Sequence, residues 1–113
     1  MRKTVISLMF FLMGAAGAVA DEPDPFLSLE QAKPYRERWQ TCTAAVAKEK
    51  LDGTLPAPGI ADLAFERCKA REAALRSVLR RKLGTAPAER IVDDLRGLDR
   101  SLLIRVIEKL RSN

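Results

Sequence analysis

Residues 34–68 read PYRERWQTCTAAVAKEKLDGTLPAPGIADLAFERC, and this stretch decides the fold. Its first half has a helical pattern. Tyr35, Trp39, Cys42 and Val46 fall at i, i+4, i+7 and i+11, one face of an α-helix, while Arg36, Arg38, Lys48 and Glu49 fall elsewhere. Leu51 to Gly59 holds two prolines and two glycines and reads as a loop. A second helix is predicted from about Ile60 to Leu83, with Gly84 as its C-terminal cap. Ala61, Ala64, Cys68, Leu75 and Leu79 line one face of it, with Phe65 and Leu83 at the edge. The opposite face is small: Ala70, Ala73, Ala74 and Ser77. Two such stripes predict a central helix packed on both sides.

The cysteines agree with this hairpin. The loop centres near residue 55, with Cys42 13 residues before that point and Cys68 13 after it. In an antiparallel hairpin, residues equally far from the turn sit at one height. Packed helix axes lie about 8–10 Å apart and each Cα lies about 2.3 Å from its axis. Facing Cα atoms are then roughly 4–5.5 Å apart, overlapping the ~4.4–6.8 Å span of a disulfide. A Cys42–Cys68 bond of structural type is therefore expected; redox-active pairs are more often close in sequence, as in Cys-x-x-Cys. Two cysteines in a chain without histidine cannot complete a tetrahedral zinc site, so neither a metal nor a cofactor is expected.

Downstream, Thr85-Ala86-Pro87 restarts the chain. A third helix is predicted from about Pro87 to Arg96, with Ile91, Val92 and Leu95 inward. Gly97 interrupts it, and Asp99 has the chemistry of an N-cap for a last helix ending near Arg111. Leu102, Leu103, Val106, Ile107 and Leu110 form the apolar face of that helix, with Ile104 off it. The pattern leaves open whether residues 87–111 make one bent helix or two. Upstream, Ser28 and Gln31 fit a capping box, and Pro34 suits the first position of the main helix. Residues 21–33 are thus read as an acidic, proline-bearing lead-in and short turn, and 34–113 as a single helical domain. The predicted fold class is all-α: a disulfide-clasped antiparallel hairpin packed with one or two C-terminal helices.

Residues 1–20 have the parts of a cleavable signal peptide. Arg2 and Lys3 precede an apolar run, and Ala18-Val19-Ala20 supplies the small-x-small pattern that signal peptidase reads. Cleavage is expected between Ala20 and Asp21. The apolar segment, about 16 residues, falls short of the ~20 of a spanning helix. No transmembrane segment is expected after cleavage, and the protein is expected to be periplasmic or secreted. Loss of Arg2 and Lys3 leaves 18 basic against 15 acidic residues, a net +3. That charge is ordinary for a small domain and does not point to nucleic acid.

Without histidine, the commonest general base is missing, and no serine stands in a nucleophile motif. Asp93 and Asp94 are adjacent on a helix and diverge by about 100°. The chain is therefore read as a non-enzyme that acts through a protein partner, as inhibitors, immunity proteins, chaperones or assembly factors do. Tyr35, Trp39 and Ile104 are the candidate contact residues, the first two weighed against a plain core role. The alternative is an anion-binding envelope protein using the basic helix from Arg67 to Lys82, with Arg76, Arg80 and Arg81 as the candidate ligands. Against it, these cations flank the apolar stripe, as snorkelling side chains do.

Overall fold

The computed structural model describes residues 25–112, with side-chain surroundings from residue 30 onward. The expected signal peptide and its cleavage point at Ala20 and Asp21 lie outside the described residues. Every element found is helical: α1 (Pro25–Lys50), α2 (Ala57–Arg67), α3 (Lys69–Leu83) and α4 (Thr85–Ser112).

Helix α1 does not begin at Pro34. It runs through that residue, so the expected short turn over 21–33 is instead helix from Pro25. Pro34 has no N–H to give to the carbonyl of Glu30, which is a local cost. Two features offset it. Pro34 and Glu30 are both on the exposed side, where the freed carbonyl meets water. Ala32, two residues ahead of Pro34 and so on the opposite side of the helix, is buried in the same core cluster as Leu75 and Leu79. Tertiary packing therefore holds the first turns helical against the local preference.

The chain turns at residues 51–56 and α2 starts at Ala57, three residues earlier than its pattern predicts. Pro58 falls in the first turn, where a missing N–H costs nothing. The turn is tied to the far end of the chain. The Arg111 guanidinium donates to the carbonyls of Lys50, Leu51, Gly53 and Leu55, at 2.6 Å for Leu55.

The predicted helix over 60–83 is two helices. Cys68 separates α2 from α3, with φ −100° and ψ 17°. Hydrogen bonding passes through the break, since Cys68 N–H reaches Ala64 O and both Arg71 and Glu72 N–H reach Cys68 O. Both segments pack on α1, and they do so in reverse order. Ala47 near the end of α1 shares a cluster with Ala57 and Ile60, while Ala32 near its start shares one with Leu75, Val78 and Leu79. The disulfide between Cys42 and Cys68 bridges this pair, with Cα atoms 5.9 Å apart. The alanine stripe is not a second packing face: Ala70, Ala73, Ala74 and Ser77 are all exposed. Helix α3 buries its other side only.

Gly84 ends α3 at φ 92°, a backbone that glycine adopts without strain, and Gly84 N–H caps Arg80 O at 2.9 Å. Helix α4 then runs without a break across Gly97. A Cβ at Gly97 would meet nothing within 4 Å. Gly97→Ala is therefore expected to stabilise the protein by about 0.5–1 kcal/mol, read as a higher urea midpoint at unchanged slope. A lower midpoint would contradict a continuous helix at this point.

Asp99 is not an N-cap. It lies inside α4, is buried, and its Oδ1 accepts from Arg36 Nη2 at 3.2 Å and Gln40 Nε2 at 3.3 Å. Glu72 is a second buried carboxylate, held by Arg76 at 3.2 Å and Arg96 at 3.0 Å. These two groups favour one rotation of α4 against α1 and α3, because turning the helix would strip Asp99 of both its partners and Glu72 of Arg96, leaving Glu72 only Arg76 of its own helix.

Candidate functional site

Helix α4 changes its covering partly along its length. Its first half inserts Ala88 and Val92 into the cluster of Trp39, Phe65, Leu75 and Leu79. Its second half inserts Ile107 beside Ala47, Ala57 and Ile60. Ile104, predicted to fall off the packed face, is half-buried against that second cluster. Leu102, Val106 and Leu110, predicted to face inward, are instead exposed.

The residues left outside form one row. Leu98, Leu102, Val106 and Leu110 are spaced by four, and their exposures are 51, 44, 51 and 53 %. Twelve residues at 1.5 Å each make this row about 18 Å long. Beside its C-terminal half is a groove of about 370 Å³. One wall is Ala44 and Ala47 of α1 with Leu51 just past its end, and the other is Val106, Ile107 and Leu110 of α4. Leu98 and the α1 wall have no counterpart among the residues singled out by pattern. The signal that marks them is a doubled periodicity: Leu98-Leu102-Val106-Leu110 and Asp99-Leu103-Ile107 are parallel i,i+4 rows, and the structure buries only the second.

The other candidates are brought into different settings. Trp39 is fully buried and meets the Phe65 ring edge-on at 5.6 Å, so it belongs to the core. Tyr35 is half-buried against the same cluster and carries Arg38 over its ring at 5.2 Å. Arg76 lies 3.2 Å from Glu72, 2.8 Å from Glu89 and 3.9 Å from Asp93, and Arg80 also holds Glu89. Arg81 is exposed and pairs with no carboxylate among the described residues. Two of the three candidate anion ligands are thus neutralised within the fold, and an incoming anion must displace carboxylates to reach them.

The chain matches no family model, no curated protein and no solved structure.

Two exposed ion pairs, Arg80–Glu89 and Arg100–Asp62, contribute to the acid dependence of stability. A hydrogen bond from Arg80, with the Arg76 charge behind it, holds Glu89 below its ordinary 4.5. Asp62 lies below its ordinary 3.8 because Arg100 donates to it at 2.8 and 3.3 Å. Arg100 is raised in turn by Asp62. Both carboxyls are more acidic folded than unfolded, so their stabilisation is complete above the unfolded values and is lost as pH falls through the folded ones. A thermal midpoint flat above about pH 5.5 and falling below it is expected, with a shallower fall in an Arg80→Gln/Arg100→Gln variant. An unchanged acid slope in that variant would refute the assignment.

Proposed function

We propose that this is an exported, non-catalytic helical protein that binds another protein through the open face of α4, as an inhibitor, immunity, chaperone or assembly factor does. The row Leu98-Leu102-Val106-Leu110 carries the reading, since four large apolar side chains in line along an exposed helix, rather than scattered singly, are the mark of an interface. The disulfide between Cys42 and Cys68 supports export, because such bonds persist in oxidising compartments. The signal-like pattern of residues 1–20 agrees with a periplasmic or secreted location. Among the described residues no helix is long and apolar enough to cross a membrane.

A photo-cross-linking residue at position 102, expressed in the native host, should give a discrete protein adduct that the same residue at exposed Arg90 does not. Equal labelling from both positions, or none from either, would defeat the reading.

A further inference from the structure

The charge around the groove narrows what fits it. Lys48 lies on the groove's α1 side. Arg105 and Lys109 lie on the outer flank of the apolar row, each three residues after a row member, Leu102 and Val106, and about 60° round the helix from it. All three are exposed, and none pairs with a carboxylate among the described residues. Elsewhere the arginines that face a neighbouring helix are engaged: Arg36 with Asp99, Arg76 and Arg96 with Glu72, Arg80 with Glu89, Arg100 with Asp62. The nearest acid on α4, Glu108, lies about 160° round the helix from Val106 and Leu110, away from the groove. Asp94 stands one turn beyond Leu98, at the end of the row remote from the groove.

The groove walls also have a shape. Ala44 and Ala47 on the α1 side are small, which lets another backbone approach closely. A trough of this kind, beside an ~18 Å row, takes an amphipathic helix with anchors at i, i+3 or i+4, and i+7. From this we infer that the occupant is a partner helix of about three turns or more, whose apolar stripe is bordered by Asp or Glu. The inference rests on the reading of α4 as a protein-binding face and adds the chemistry of the partner. A second copy of this chain fits less well. Pairing the row on itself about a two-fold axis near residue 104 sets the two Arg105 side chains on the same flank, close to the axis. A lipid surface fits less well because the groove half of the face is concave, with a wall of α1 standing beside it.

Three synthetic helical peptides of about 18 residues test this, sharing one leucine stripe and differing only in flanks of Glu, Gln or Lys. Binding to the full oxidised chain is followed by fluorescence anisotropy. The Glu peptide is expected to bind about tenfold more tightly than the Gln peptide, and the Lys peptide more weakly than either. The difference should shrink between about 50 and about 500 mM salt. Val106→Ser should abolish binding without lowering the thermal midpoint, since Val106 is exposed. Arg105→Glu with Lys109→Glu should reverse the order of the peptides.

Equal affinity for the three peptides, no binding at all, or binding untouched by Val106→Ser would overturn the inference. So would concentration-dependent self-association removed by Val106→Ser, which points to a second copy. Saturable binding to phosphatidylglycerol vesicles with no peptide preference points to a lipid surface instead. A protein adduct from position 102 with no peptide charge preference leaves the protein-binding reading intact and removes only this one.

Discussion

Opening the Cys42–Cys68 bond is expected to lower the stability of the fold by about 3–4 kcal/mol, because it releases a closed loop spanning 26 residues in the unfolded chain. For a domain of this size the corresponding fall in thermal midpoint is on the order of 15–25 °C. Small domains commonly have only ~5–10 kcal/mol in total, so this single bond is a large share. The measurement is a pair of unfolding curves for oxidised and reduced protein, which compares identical side chains. A double Cys42→Ala/Cys68→Ala variant checks it. Cys68 is buried at the junction of α2 and α3, so the variant should be no more stable than the reduced chain. Oxidised and reduced curves within about 1 kcal/mol would show that the bond merely reports a proximity the helices already enforce.

Trp39→Ala should cost about as much, roughly 3–5 kcal/mol. The indole is fully buried between α1 and the elements that return along it, and Phe65 meets its ring edge-on. Removing it leaves a cavity at the place where α1, α2 and α3 converge, and rigid helices collapse into such a space poorly. Trp39→Phe is the informative control. The Trp39 Nε1–H is buried with no acceptor among the described residues, so phenylalanine keeps most of the packing and forfeits no hydrogen bond. A loss below about 1.5 kcal/mol is expected for it. A Phe variant as damaged as the Ala variant would mean that the N–H has a partner that matters, and would reopen position 39 as a binding residue.

The features that were legible from residue order share a property: they depend on spacing within one segment. The face carrying Trp39 and Cys42, the face carrying Ala64, Cys68, Leu75 and Leu79, and the equal distances of Cys42 and Cys68 from the turn are all of this kind. Helix continuity is different. Pro34 and Gly97 are helix breakers by intrinsic preference, yet α1 and α4 pass through both. The preference amounts to about 3 kcal/mol at Pro34 and about 1 at Gly97, and it is the packing of each helix as a whole, to which Ala32 contributes in α1 and Val92 and Ile107 in α4, that opposes it. Cys68 shows the converse, an interruption at a residue that carries no breaking signal.

The candidate surface failed to declare itself for a related reason. Leu102, Val106 and Leu110 have the spacing of core residues, and a row of leucines carries no sign of whether another helix lies over it. That is decided by α3, which covers the first half of α4, and by α2, which lies against the second half and brings Ile104 and Ile107 inward instead. Asp99 is a similar case. Read along one segment it looks like a cap, whereas its partners Arg36 and Gln40 are about 60 positions away, at separations of 63 and 59.

Arg111 also bears on the order in which the fold can be completed. It joins the last turn of α4 to carbonyls 56–61 positions earlier in the chain. A chain delivered N-terminus first can pair α1 with α2 while residues beyond 67 are still being supplied, since those contacts are local. During that interval the Lys50 carbonyl can already accept from Gly53 N–H, while the Leu51, Gly53 and Leu55 carbonyls lack the guanidinium that later binds them. Their guanidinium is supplied only with residue 111, after α3 and the part of α4 that precedes it. Fastening of this turn is thus a late step relative to the pairing of α1 with α2, and a chain cut before residue 111 would have a hairpin whose bend lacks these bonds.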